Sequence, residues 1–93
     1  MSEPRFLQKC REFRTGGLSF LAMQLQKDSV SYTFMDETEV KILKQRVEDN
    51  AVRSIAHIFP LADFAERQMY RECGVKSIGN INLVAPKEKA NNE

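Results

Sequence analysis

The side chains able to do chemistry are few, and they stand apart. The chain holds one histidine, His57, and two cysteines, Cys10 and Cys73. Nucleophilic catalysis needs a hydroxyl or thiol beside a base, with a third group orienting that base. His57 lies instead among Ile55, Ala56, Ile58 and Phe59, a setting that suits a hydrogen-bonded structural histidine. Cys73 falls at the C-terminal end of a predicted helix, where the helix dipole disfavours a thiolate. Neither cysteine belongs to a paired C-x-x-C spacing, so no zinc or iron–sulfur site is expected. Gly16-Gly17 precedes a predicted strand rather than a helix N-terminus, which is not the arrangement of a phosphate cradle. Glu66 and Glu72 lie six apart on one helix and point to different faces, so they form no carboxylate pair. The expectation is a protein with no catalytic residue, no metal ligand and no cofactor of its own.

Those residues must be carried by a small scaffold. The chain has 93 residues, of which 42% are apolar and 29% charged. That is the composition of a soluble globular protein with one core. Fourteen basic residues against 13 acidic ones leave a net charge of +1, too little for a general electrostatic pull on nucleic acid. The start, Met1-Ser2-Glu3-Pro4-Arg5, has no apolar stretch of signal-peptide length, and no apolar run reaches membrane-spanning length. A cytoplasmic protein with reduced thiols is expected, peripheral to a membrane at most.

The pattern predicts an α+β domain over residues 1–84 and a flexible charged tail over 85–93. Ser2 is placed to cap a first helix, with Phe6, Leu7, Cys10 and Phe13 at helical spacing and Gly16-Gly17 at its end. Arg5, Lys9, Arg11 and Arg14 occupy the rest of that helix, as a solvated face or a dock for an acidic partner. Leu18 to Leu25, apolar on both faces, reads as a central strand. Val30, Tyr32 and Phe34 alternate with Ser29, Ser31 and Thr33, the pattern of a strand with one buried face. Val40 to Val47 reads as a third strand, and the short turns between the three favour an antiparallel meander. After the break at Glu48-Asp49-Asn50, Val52 to Phe59 reads as one irregular apolar turn ended by Pro60. Leu61, Phe64, Ala65, Met69 and Cys73 then recur at helical spacing, with Gly74 as C-cap and Val75 folding back. This C-terminal helix is expected to pack on the sheet, with Phe64 and Met69 in the core, and both helices are expected on one face with the other partly open.

The segment from Phe59-Pro60-Leu61-Ala62-Asp63-Phe64-Ala65-Glu66-Arg67 to Gln68-Met69-Tyr70-Arg71-Glu72-Cys73-Gly74-Val75 resembles a motif of the thirty-kilodalton-type subunit of NADH–quinone oxidoreductase. It is similar also to the small non-catalytic subunit of energy-converting, membrane-associated NiFe hydrogenases, and the chain's length favours that short type. Phe59, Pro60, Ala62, Phe64, Glu66, Arg67, Tyr70, Gly74 and Val75 fit the pattern. Val52-Arg53-Ser54-Ile55 looks like the family's lead into this helix, and Ile78-Gly79-Asn80 looks like a remnant of its aromatic-x-Gly-His segment. The likeness covers about residues 17–83, and its specific part is the helix motif. The chain departs from the pattern at Gln68 and Arg71, where the family carries acids, and at Glu72 and Cys73, where it carries an apolar residue and an aromatic.

The resemblance implies a non-catalytic structural subunit, without cofactor, that braces the large catalytic subunit of a NiFe hydrogenase-like or NADH dehydrogenase-like complex. Glu66, Arg67, Tyr70 and Arg71 are the candidate partner-binding residues. Glu66 and Arg67 could equally pin the domain's own loops. Two other classes compete. A nucleic-acid-binding module would use the basic first helix and aromatics Phe20, Tyr32 and Phe34 on the sheet. A small enzyme would use Cys73 or His57.

Overall fold

The structure is a computed structural model and describes residues 3–83. Ser2, the expected cap, Val84 and the expected tail over 85–93 lie outside the described residues. The chain forms a helix, three antiparallel strands, a short strand, a second helix and a last short strand. It is the small α+β fold expected from the pattern.

Helix α1, Glu3–Thr15, buries Phe6 and Cys10 and half-buries Phe13. Its C-terminal turn closes through bonds from Gly16 N to Glu12 O and from Leu18 N to Phe13 O, with Gly17 at φ +89°. A left-handed residue there lets the chain reverse into the sheet. Strands β1, Ser19–Gln26, β2, Ser29–Met35, and β3, Val40–Arg46, form the meander in the order β1-β2-β3. Both connections are short. The second is organised by the Asp36 carboxylate, which accepts bonds from the backbone N–H groups of Thr38 and Glu39 and from the Thr38 hydroxyl. These bonds hold the Asp36 carboxyl below its ordinary pKa range.

The central strand is β2, not β1. The sequence of β1 is apolar on both faces for a different reason: a bulge falls between Phe20 and Ala22. Phe20 pairs with Phe34, then Met23 with Tyr32 and Leu25 with Val30. The extra residue shifts the alternation by one. Phe20 and Met23, three apart, thereby both pack against the core, while Leu21 is left 56% exposed.

Both helices cover the face of the meander that carries Val30, Tyr32 and Phe34, all fully buried. Phe6 meets Tyr32 with ring centroids 5.0 Å apart, and Phe13 meets Phe34 edge-on at 5.3 Å. Such tilted and edge-to-face pairs add to the burial term. Helix α2, Ala62–Cys73, packs against β1 from the same side. The opposite face of the meander has no layer over it among the described residues, and Leu21, Met35, Val40 and Ile42 are exposed there.

The irregular segment before Pro60 holds a strand that the sequence pattern does not announce. A tight turn at Asp49-Asn50, both at positive φ, joins Glu48 to Ala51 through two reciprocal backbone bonds. Asp and Asn tolerate this left-handed conformation better than other side chains. Strand β4, Ala51–Arg53, follows, and after α2 strand β5, Lys76–Ile78, pairs with it in parallel. Three residues are too few to show a period, and the pair is 25 residues apart along the chain (Ala51 to Lys76). The two sheets are joined by the buried Gln45 side chain. Its Oε1 accepts from Arg53 N at 2.6 Å, and its Nε2 donates to Arg53 O and to the Tyr32 hydroxyl. The amide thus takes the place of a strand partner for β4.

Candidate functional site

Helix α2 starts after Pro60 and Leu61 without a side-chain cap and ends at Gly74, φ +77°, whose N–H bonds Tyr70 O. Its buried residues are Ala62, Glu66 and Met69. The helix is therefore rotated from the apolar stripe expected from its sequence. Leu61 is 74% and Phe64 61% exposed, and Cys73 is exposed as well. Phe64 is not a core residue; Met69 is.

The rotation follows from Glu66, which is fully buried. Its carboxylate accepts the Ser54 hydroxyl at 2.7 Å, Ile55 N–H at 2.8 Å and the Asn80 side-chain amide at 2.9 Å. Three donors satisfy the charge where water cannot reach it, which is the condition for burying a carboxylate. They come from the end of β4 and from the turn after β5, so one side chain of α2 gathers both flanks of the second sheet. Glu66 offers no surface to a partner in this chain, and of its two expected roles the structure shows loop pinning. Burial raises the Tyr32 pKa far above its ordinary value, and the negative charge of Glu66 raises it further.

Asp63, one turn earlier, is the outer counterpart of this pin. It accepts the Asn82 side-chain amide at 3.1 Å and Arg67 Nε at 3.0 Å. The Asn82 bond leads the influences that hold its carboxyl below the ordinary carboxylate range. Asn80 and Asn82 thus clasp the turn after β5 along the first half of α2, leaving Ile81 between them 94% exposed.

The exposed residues of α2 are Phe64, Gln68, Arg71, Glu72 and Cys73, and among the outward ones Leu61 just before the helix, Phe64, half-buried Arg67 and Arg71 follow one another at spacings of three and four as one stripe. The Arg67 guanidinium lies 5.9 Å from the Phe64 ring centroid, within cation–π range. Arg71 is exposed and Tyr70 half-buried. Of the four expected contact residues, Arg67 and Arg71 share this stripe, Tyr70 flanks it, and Glu66 lies behind it. Sequence reasoning misses Phe64 and Leu61 because apolar residues at helical spacing read as core; the signal available is Ala62, Glu66 and Met69 at the spacing of a second, inward face.

The remaining chemical groups are scattered. His57 is exposed on the turn before Phe59, not enclosed by its apolar neighbours. Cys10 and Cys73 are free thiols, the first fully buried and the second exposed. Burial pushes the Cys10 thiol up to about 12. No group of three or more potential metal ligands occurs among the described residues, and no helix there is long and apolar enough to cross a membrane. Tyr32 and Phe34 are fully buried and Phe20 is partly so, which removes these aromatics from any stacking platform. Comparison with protein-family models, with curated proteins and with solved structures finds no match.

Proposed function

We propose that the chain is a non-catalytic interaction subunit that docks on a larger protein through the outer stripe of α2. The observation that carries this reading is the exposed Phe64 with Arg67 against its ring and Arg71 one turn on. An exposed aromatic flanked by arginines is the composition of an interface hot spot. Asp63 and Glu66 hold the helix and the following turn in place behind it, so the stripe is presented without an ordering cost at binding. The partner surface complementary to it is an apolar recess with an acidic rim. The helix motif's likeness to the thirty-kilodalton-type subunit and to the small hydrogenase subunit points to the large catalytic subunit of a NiFe hydrogenase-like complex as the first partner to try. Its complex would then bring the chain to the inner face of the cell membrane.

The test is direct binding of the purified chain to a hydrogenase-type large subunit by calorimetry, with Phe64→Ala and Arg71→Glu beside the native chain. Binding is expected, with a loss of at least roughly tenfold for each variant. No binding by the native chain, or equal binding by both variants, overturns the reading.

A further inference from the structure

The uncovered face of the meander is ordered in a way that fits one occupant. Along β2 and β3 the residues of this face fall in rows: Met35 with Val40, Thr33 with Ile42, Ser31, itself buried, with exposed Lys44, and Ser29 with Arg46. The first two rows are apolar or nearly so, and Val40 and Ile42 are 57% and 58% exposed. Leu21, pushed out by the β1 bulge, lines the same cleft as Ser19 and Met35 and extends the patch across the sheet. Beyond the first row stands the acidic turn. There Asp36 is occupied by its own turn, Glu39 lies 3.6 Å from Lys41, and Glu37 is exposed. On the other side of the patch is exposed Lys44.

This order is self-complementary. Consider a two-fold axis lying between two such faces and running across the strands at the middle of the apolar rows. It sets β3 over β3 and reverses the rows. The Met35–Val40 row of one copy then covers the Thr33–Ile42 row of the other. Glu37 in the turn reaches the Ser31–Lys44 row of the other copy. Strand rise of about 3.3 Å per residue makes the two distances from the axis match. Sheets packed face to face keep strands nearly aligned, which this axis allows. An isologous contact needs one patch that complements itself, with unlike charges related by the axis. The other arrangement, with the axis along the strands and β3 over β1, would leave the rows unreversed and hold the acidic turn of one copy level with the acidic turn of the other.

We propose that the open face of the meander is a homodimer interface, with Leu21, Met35, Val40 and Ile42 at its centre and Glu37 of each copy against Lys44 of the other. It uses the surface opposite the α2 side, so a dimer leaves both α2 stripes exposed for larger partners. The dimer stands or falls independently of the identity of any such partner.

Sedimentation equilibrium of the full chain over a concentration series tests this. A reversible dimer is expected. Ile42→Glu and, as a second variant, Val40→Asp should give monomers with an unchanged far-ultraviolet circular dichroism spectrum, since both side chains are more than half exposed. Lys44→Glu and Glu37→Lys should each weaken the dimer by roughly fivefold, and the double exchange should restore it. A chain that stays monomeric throughout overturns the proposal. So does a dimer that survives both apolar substitutions, or a double exchange no tighter than the single ones.

Discussion

A carboxylate turned inward decides how α2 sits. Glu66 accepts three hydrogen bonds in a site closed to water. Glu66→Ala leaves three donors without an acceptor and should cost about 3–4 kcal/mol. Glu66→Gln keeps the shape but turns an amide N–H towards donors, and about 2 kcal/mol is expected. Urea unfolding reads both, as a lower midpoint with unchanged slope. If Glu66 were a surface contact, both losses would fall below about 0.5 kcal/mol. The sequence leaves Glu66 open between a partner contact and a pin for the domain's own loops, because it lies off the apolar stripe of its helix. Its donors come from Ser54, Ile55 and Asn80, and no helical spacing discloses them. The two thiols make a second residue-scale case. Cys73 should react with a thiol reagent in the native protein, whereas Cys10, neutral and enclosed, should react only on unfolding. Two equally fast thiols would contradict the packing of α1.

At the scale of elements, the local signals are legible where the period runs cleanly. Val30, Tyr32 and Phe34 alternate without interruption, and β2 is where that alternation puts it, with the predicted side buried. The two helices and their glycine stops fall within a residue or two of expectation. Strand β1 misleads because one bulge mixes two alternations, and a strand apolar on both faces otherwise reads as central. Deleting Leu21 should therefore be tolerated: Phe20, Met23 and Leu25 then fall on one face in a regular strand. A thermal unfolding midpoint near that of the native chain is the expected outcome, and collapse of the fold would show that the bulge is needed for more than parity. The turn after β5 gives a pH-dependent element. The Asp63 carboxyl titrates below its unfolded value, so its stabilisation is complete above the ordinary carboxylate range and fades as pH falls through the folded pKa. The stability gap between the native chain and Asp63→Ala should be present at neutral pH and shrink as pH falls below the ordinary carboxylate range. A gap that stays constant over that range would mean the Asn82 and Arg67 contacts contribute nothing through charge.

The described residues form one layer of helices on one meander, together with the two-stranded sheet that α2 ties down. The hydrophobic face of the meander supports the core, and its other face and the outer side of α2 are two separate surfaces. From sequence the α+β class and the open face can be read, because turn lengths and alternation fix them. The second sheet cannot, because its strands are three residues long and meet only across the intervening helix. That separation also sets an order of events. The meander hairpins close through turns of a few residues, whereas β4 and β5 can pair only after α2 has folded back between them, a far more costly loop to close. The Gln45 amide and the Glu66 carboxylate are the links that make this late pairing part of the same cooperative unit. Amide hydrogen exchange should therefore show Ser54 and Lys76, which bond Ile78 O and Asn50 O, opening before the amides of β2. The domain should come apart from the end where its two sheets are sewn together, and the aromatic core should be the last part to admit solvent.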